Sequence, residues 1–98
     1  MRLIYHPDAE AELIEAAQFY EQRLSNLGGQ FLETIENAVR EIQNSPRQWR
    51  VIERDVRLCL ITRFPFGIYF RIELDELRIL SIKHHSRHSD MWRERLEE

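Results

Sequence analysis

Arg63–Trp92 reads RFPFGIYFRIELDELRILSIKHHSRHSDMW. Pro65-Phe66-Gly67 signals a turn. Beyond it, Ile68, Phe70, Ile72 and Leu74 alternate with Tyr69, Arg71 and Glu73, the two-residue period of a half-buried strand. Asp75-Glu76 makes a tight acidic turn, and Leu77 to Lys83 forms the next strand, with Arg78, Leu80 and Ile82 on one face. Upstream, Val56 to Arg63 forms a further strand. Val56, Leu58, Leu60 and Thr62 face one way and Arg57, Cys59, Ile61 and Arg63 the other. The spacing predicts a three-stranded antiparallel meander that ends in a burst of His and Arg.

Ahead of the meander the period changes. Arg2 to Tyr5 is a short apolar strand. Pro7 opens a helix at a position where its missing N–H costs nothing. Asp8, Glu10 and Glu12 put negative charge at the positive end of the helix dipole. Ala9, Leu13, Ala16, Tyr20 and Leu24 recur at helical spacing, and Ser25 to Gly29 breaks the run. Phe31, Ile35, Ala38, Val39 and Ile42 stripe a second helix, which Asn44-Ser45-Pro46 ends. The two helices are expected to pack as an antiparallel hairpin. Pro46 to Asp55 reads as a polar connection holding Trp49, and Ser89 can cap a short last helix carrying Met91, Trp92 and Leu96. This order gives an α+β fold, a curved and mostly antiparallel sheet with a helical hairpin on one face. The 98 residues form one domain, 1–98, with no repeat or linker.

Composition narrows the function. The net charge of -3 argues against a generic nucleic-acid binder. Charge is unevenly spread, however: residues 1–55 are acidic, whereas Arg57 to His88 holds six basic residues, three acidic ones and three histidines. All the basic residues but Lys83 are arginine, which suits two-pronged phosphate or carboxylate contacts and also follows from a coding bias. No apolar run reaches the roughly 20 residues of a membrane span, and the N-terminus lacks the apolar core of a signal peptide. A cytoplasmic protein is expected. Cys59, the lone cysteine, reads as a small buried hydrophobe. No cofactor motif is present. His88 with His84 or His85 lacks a third metal ligand at convincing spacing.

Four pieces in order resemble the RelE/ParE toxins of bacterial type II toxin–antitoxin pairs. Tyr5-His6-Pro7 with Ala9 and Leu13 resembles the family's opening, and Leu27-Gly28 followed by Phe31 its second helix. Arg63-Phe64-Pro65-Phe66 with Ile68, Tyr69 and Arg71 resembles the Arg-Phe-Pro-Tyr segment of the ParE branch. His84 or His85 with Arg87, Asp90 and Trp92 resembles the family's ending. The resemblance covers nearly the whole chain. It implies a plasmid-stabilisation toxin neutralised by a cognate antitoxin. ParE-branch members block DNA gyrase without an active site of their own; RelE-branch members cut mRNA on the ribosome. The RelE branch grips mRNA with several Lys and Arg, and here there is one lysine.

Metal-free RNA cleavage needs a base, a cation for the phosphorane, an acid and a grip on the bases. His84 or His85 can be acid or base, Arg63 and Arg71 can hold a phosphate, and Tyr69 can stack on a base. Each also has a structural reading. Arg71 and Glu73 can pair on one strand face, Tyr69 can shield the sheet, and one of the two neighbouring histidines must turn inward. Glu12-Glu15 and Glu33-Glu36 read as solvated helix faces. Trp49, among Arg47, Arg50 and Arg54, is either a partner contact or a plug at the sheet end. For a toxin that acts by docking, the target surface is expected to use Arg57, Arg63, Arg71, Arg87 and Trp49. The antitoxin is expected on Leu24, Phe31, Leu32 and Trp92, adding a strand or helix to the fold.

Overall fold

The structure is a computed structural model that describes residues 1–85. The elements run β1 (Arg2–Tyr5), α1 (Pro7–Arg23), α2 (Leu27–Asn44), a 3-10 turn (Pro46–Gln48), β2 (Val51–Glu53), β3 (Val56–Leu60), β4 (Phe66–Glu73) and β5 (Glu76–His84). The strands form one sheet in the order β1-β5-β4-β3-β2. Only β1 runs parallel to its neighbour, and the other pairings are antiparallel. The class is α+β. The C-terminal helix expected from Ser89 lies outside the described residues.

The hairpin is built by local chemistry. The His6 ring accepts the Asp8 N–H at 3.0 Å, so a histidine caps α1 just before Pro7. Asn26 then takes a left-handed turn with φ 74°. The second helix begins at Leu27, so Gly28 and Gly29 lie in its first turn and not in the break. Gly28 is needed for closeness: a Cβ there would lie 2.4 Å from Ala17 O. The Glu21 carboxylate of α1 accepts the N–H groups of Asn26 and Gly28 at 3.0 and 2.9 Å, doing the work of a cap from the neighbouring helix.

Phe31, Ile35, Val39 and Ile42 of α2 and Ala9, Ala16 and Ala17 of α1 pack on Ile68, Phe70, Leu77, Ile79 and Ile82 of the sheet. At about 25 cal/mol per Å² of apolar surface, this layer is the main source of stability. Val56 and Leu80, with Ile52 and Tyr69, make a smaller cluster apart from it.

Four expectations about the sheet need correction. The polar connection holds an extra edge strand, β2, because the tight turn at Arg54 (φ 52°) folds Val51–Glu53 back on β3. Arg78, Leu80 and Ile82 do not share a face. The register slips between Tyr69, opposite Ser81, and Phe70, opposite Ile79; Leu80 is a bulge, and Ile82 rejoins the core. Leu74 is not in the strand but at the β4–β5 turn with φ 54°, 94% exposed. The β3–β4 turn spans residues 62–65, and Gly67 lies within β4, where a Cβ would meet Leu58 Cδ1 at 2.8 Å.

Candidate functional site

The Arg63–Phe66 segment shapes one end of the molecule. Phe66 N–H donates to Phe64 O at 2.8 Å across Pro65, a tight three-residue turn. This turn sends both Phe side chains under the hairpin. Phe64 lies 4.9 Å from Tyr20 and 5.1 Å from Phe31 between ring centroids, and Phe66 lies 5.0 Å from Phe31. Arg63, at φ 73°, is pushed outward; its guanidinium donates to Gln30 Oε1 at 2.6 Å.

His84 and His85 are both tied to this segment. The His84 ring meets Phe66 edge to face at 5.4 Å. His85 N–H donates to Pro65 O at 2.8 Å, and its Nε2 lies 3.0 Å from Phe66 O. His84 is half-buried and His85 exposed. His84 lines a cavity of about 220 Å³ with Glu12, Glu15, Phe19, Tyr20 and Lys83.

The residues expected to cut RNA do not all converge: His84 is set apart from Tyr69 and Arg71. His84 packs on Phe66, which joins the helix-side core, whereas Tyr69 belongs to the smaller cluster with Val56 and Leu80. Alternation along β4 puts Phe66 and Tyr69 on opposite faces. Arg71 shares the Tyr69 face and pairs with Asp55 at 2.9 Å, not with Glu73, which instead lies 3.3 Å from Arg78. Arg78 also meets Glu76, to which Arg2 is bonded, so this face carries a chain of ion pairs.

The docking residues divide as well. Arg57 turns inward to carbonyls, donating to Trp49 O at 2.6 Å and Arg47 O at 3.3 Å. Trp49 is half-buried: it packs 6.3 Å from Phe70 against the core and also lines the groove between α2 and β3. Arg63 is exposed, and Arg87 lies outside the described residues. Of the antitoxin set, Phe31 is 0% exposed and cannot meet a partner, because it fills the aromatic core beneath the hairpin. Leu24 and Leu32 are 62% and 40% exposed; Trp92 lies outside the described residues. Leu32 borders an apolar groove of about 350 Å³ floored by Tyr5, Leu13 and Ile35 and rimmed by Glu10 and Glu36. Burial, then Glu36 and Glu10, raise the Tyr5 phenol above its ordinary value.

Glu12 is the residue that sequence reasoning missed. It is not a solvated helix carboxylate. It accepts Ser81 Oγ–H at 3.2 Å and Ile82 N–H at 3.1 Å and pairs with Lys83 at 2.6 Å. The register of β1 stops at Ile79, and Glu12 takes over the edge of β5 beyond it. The sole lysine is thereby committed to the fold. Among the described residues, no group of three His, Cys, Asp or Glu is placed to hold a metal ion, and no helix is long and apolar enough to cross a membrane.

Comparison with known proteins fits this architecture. A chain of the "Chromosomal ParDE TA system from P. aeruginosa" superposes with a TM-score of 0.77 at 24% identity, covering 86% of this chain and 95% of that one. At that identity the likeness shows the fold alone. No curated protein matches in sequence. The family model for the ParE toxin of the type II toxin-antitoxin system, parDE, matches residues 3–89, and the chain therefore belongs to the ParE toxin family.

Proposed function

We propose that the chain is a toxin that arrests growth by binding DNA gyrase, without an active site of its own, and that a cognate antitoxin neutralises it. The observation that carries this reading is the dispersal of the nuclease set. Tyr69 and Arg71 lie on the face opposite His84, Arg71 is paired with Asp55 and Lys83 with Glu12. His84 and Arg71, on opposite faces of a sheet, cannot serve one phosphodiester, and the His85 ring is engaged with Phe66 O at the sheet end. The ends of the sheet instead offer shape and charge. Arg63, held outward beside the Phe64-Pro65-Phe66 turn, is the described residue best placed to meet the target, with Arg87 following in the sequence. The antitoxin lies along the hairpin, with Leu32 and the groove over Tyr5, Leu13 and Ile35 as its apolar anchor.

Expression of the chain alone from a tightly controlled promoter, with pulse labelling, tests this. Early loss of DNA synthesis with double-strand breaks is expected, and Arg63→Ala should relieve it while His84→Ala and His85→Ala stay toxic. Early loss of translation with cut mRNA would overturn the reading.

A further inference from the structure

Among the described residues, the edge of β3 is unfinished. Ile61 N–H donates to Phe66 O of β4, so by antiparallel alternation the backbone groups of Leu58 and Leu60 point to the other side. Leu58 finds a partner there, as its N–H donates to Arg50 O at 3.3 Å. β2 begins at Val51, opposite Arg57, and does not extend alongside Leu60. The N–H and C=O of Leu60 are therefore aimed past the sheet, and the residue is 58% exposed. Natural proteins blunt such an edge with Lys or Pro; this one carries a leucine, and an open edge is a template for another strand.

One flank of α2 faces this edge across a groove of about 590 Å³. Gln30, Thr34, Asn37 and Glu41 run along that flank at helical spacing, with Glu33 beside them. Amide, hydroxyl and carboxylate groups of this kind can bond the outer edge of an inserted peptide. The groove is acidic: Glu33 and Glu41 stand against Arg63, whose guanidinium is already bonded to Gln30. The negative potential reaches the floor, where Glu41 adds to burial in raising the Cys59 thiol. A helix closes its own backbone bonds and would leave Leu60 unused, so the fit is to an extended chain.

We infer that this groove receives an extended, basic segment of the antitoxin, which pairs with β3 at Leu60 and continues the line of β2. The inference rests on the proposal that an antitoxin neutralises the chain. It adds a second contact, on the face of α2 away from the Leu32 groove, and the charge of the segment that fills it.

The test is amide exchange on the purified complex of the chain with its co-expressed antitoxin, together with two variants. Leu60→Pro removes an N–H that faces outward on an edge strand, a place where proline is tolerated; a circular dichroism melt checks that the fold survives. Glu33→Lys with Glu41→Lys reverses the groove's charge on an exposed helix flank. Protection of the Leu60 amide in the complex, and a roughly tenfold or greater loss of affinity in each folded variant, are expected. If Leu60→Pro unfolds, the exchange and the charge-reversed pair decide alone. A stable complex in which Leu60 exchanges as in the free chain overturns the groove site and leaves the antitoxin reading intact. Absence of any complex overturns both.

Discussion

Glu12 joins the two layers through three groups of one strand, the Ser81 hydroxyl, the Ile82 N–H and the Lys83 ammonium. Removing a half-buried carboxylate takes an acceptor from each of the three in a place with little water. Glu12→Ala should therefore cost about 2–4 kcal/mol in urea unfolding, well above a typical surface substitution. Nothing local marks Glu12 in the sequence. It looks like its neighbour Glu10, and its burial depends on β5 outrunning β1, a fact spread over some seventy residues. Cys59, by contrast, was legible as a buried hydrophobe, and it is 4% exposed. Burial and Glu41 push its thiol from 9.0 up to about 11. The folded protein should thus resist alkylation at pH 8 and react once denatured. The linkage has a definite sign. The unfolded thiol releases its proton first, so stability is unaffected below pH 9 and declines as pH rises from about 9 towards about 11, readable as a falling melting temperature that Cys59→Ala flattens.

At the scale of elements, the long strands and the helical hairpin were readable because each carries its own period. Three features were not. β2 has three residues, too few to show alternation, and its turn uses Arg54 at positive φ where a glycine or asparagine would have announced it. The bulge at Leu80 shifts the parity of β5 in mid-strand, and a pattern count, which assumes constant parity, puts Ile82 on the wrong face. The start of α2 was hidden because two glycines read as a break, although one of them is there to let the helices touch. Gly28→Ala puts a methyl against the Ala17 carbonyl, a backbone atom that cannot swing aside. It should destabilise the hairpin by about 1–3 kcal/mol despite alanine's better helix propensity, and Gly29→Ala, with open space around it, is the control. A thermal melt of the two variants separates crowding from propensity.

At the scale of the molecule, a resemblance carried by four short pieces anticipated the family, while the placing of the site residues depended on which face of the sheet each one meets. His84 and Tyr69 are fifteen positions apart in sequence and on opposite sides of one layer, a division the nuclease reading could not see. The sheet also ties together the two ends of the described chain: Arg2–Tyr5 pairs with Glu76–Ile79, and His6 N–H donates to Ile79 O at 2.9 Å. A chain cut after Asp75 lacks β5 altogether, which leaves β1 without a neighbour and β4 with a bare edge. Such a fragment should show no cooperative melt and no toxicity. For a cell making a toxin of this kind, synthesis interrupted before β5 is expected to be harmless. On the proposed reading, a ribosome that stalls before β5 releases an inert peptide, and activity appears only once that inner strand has been made.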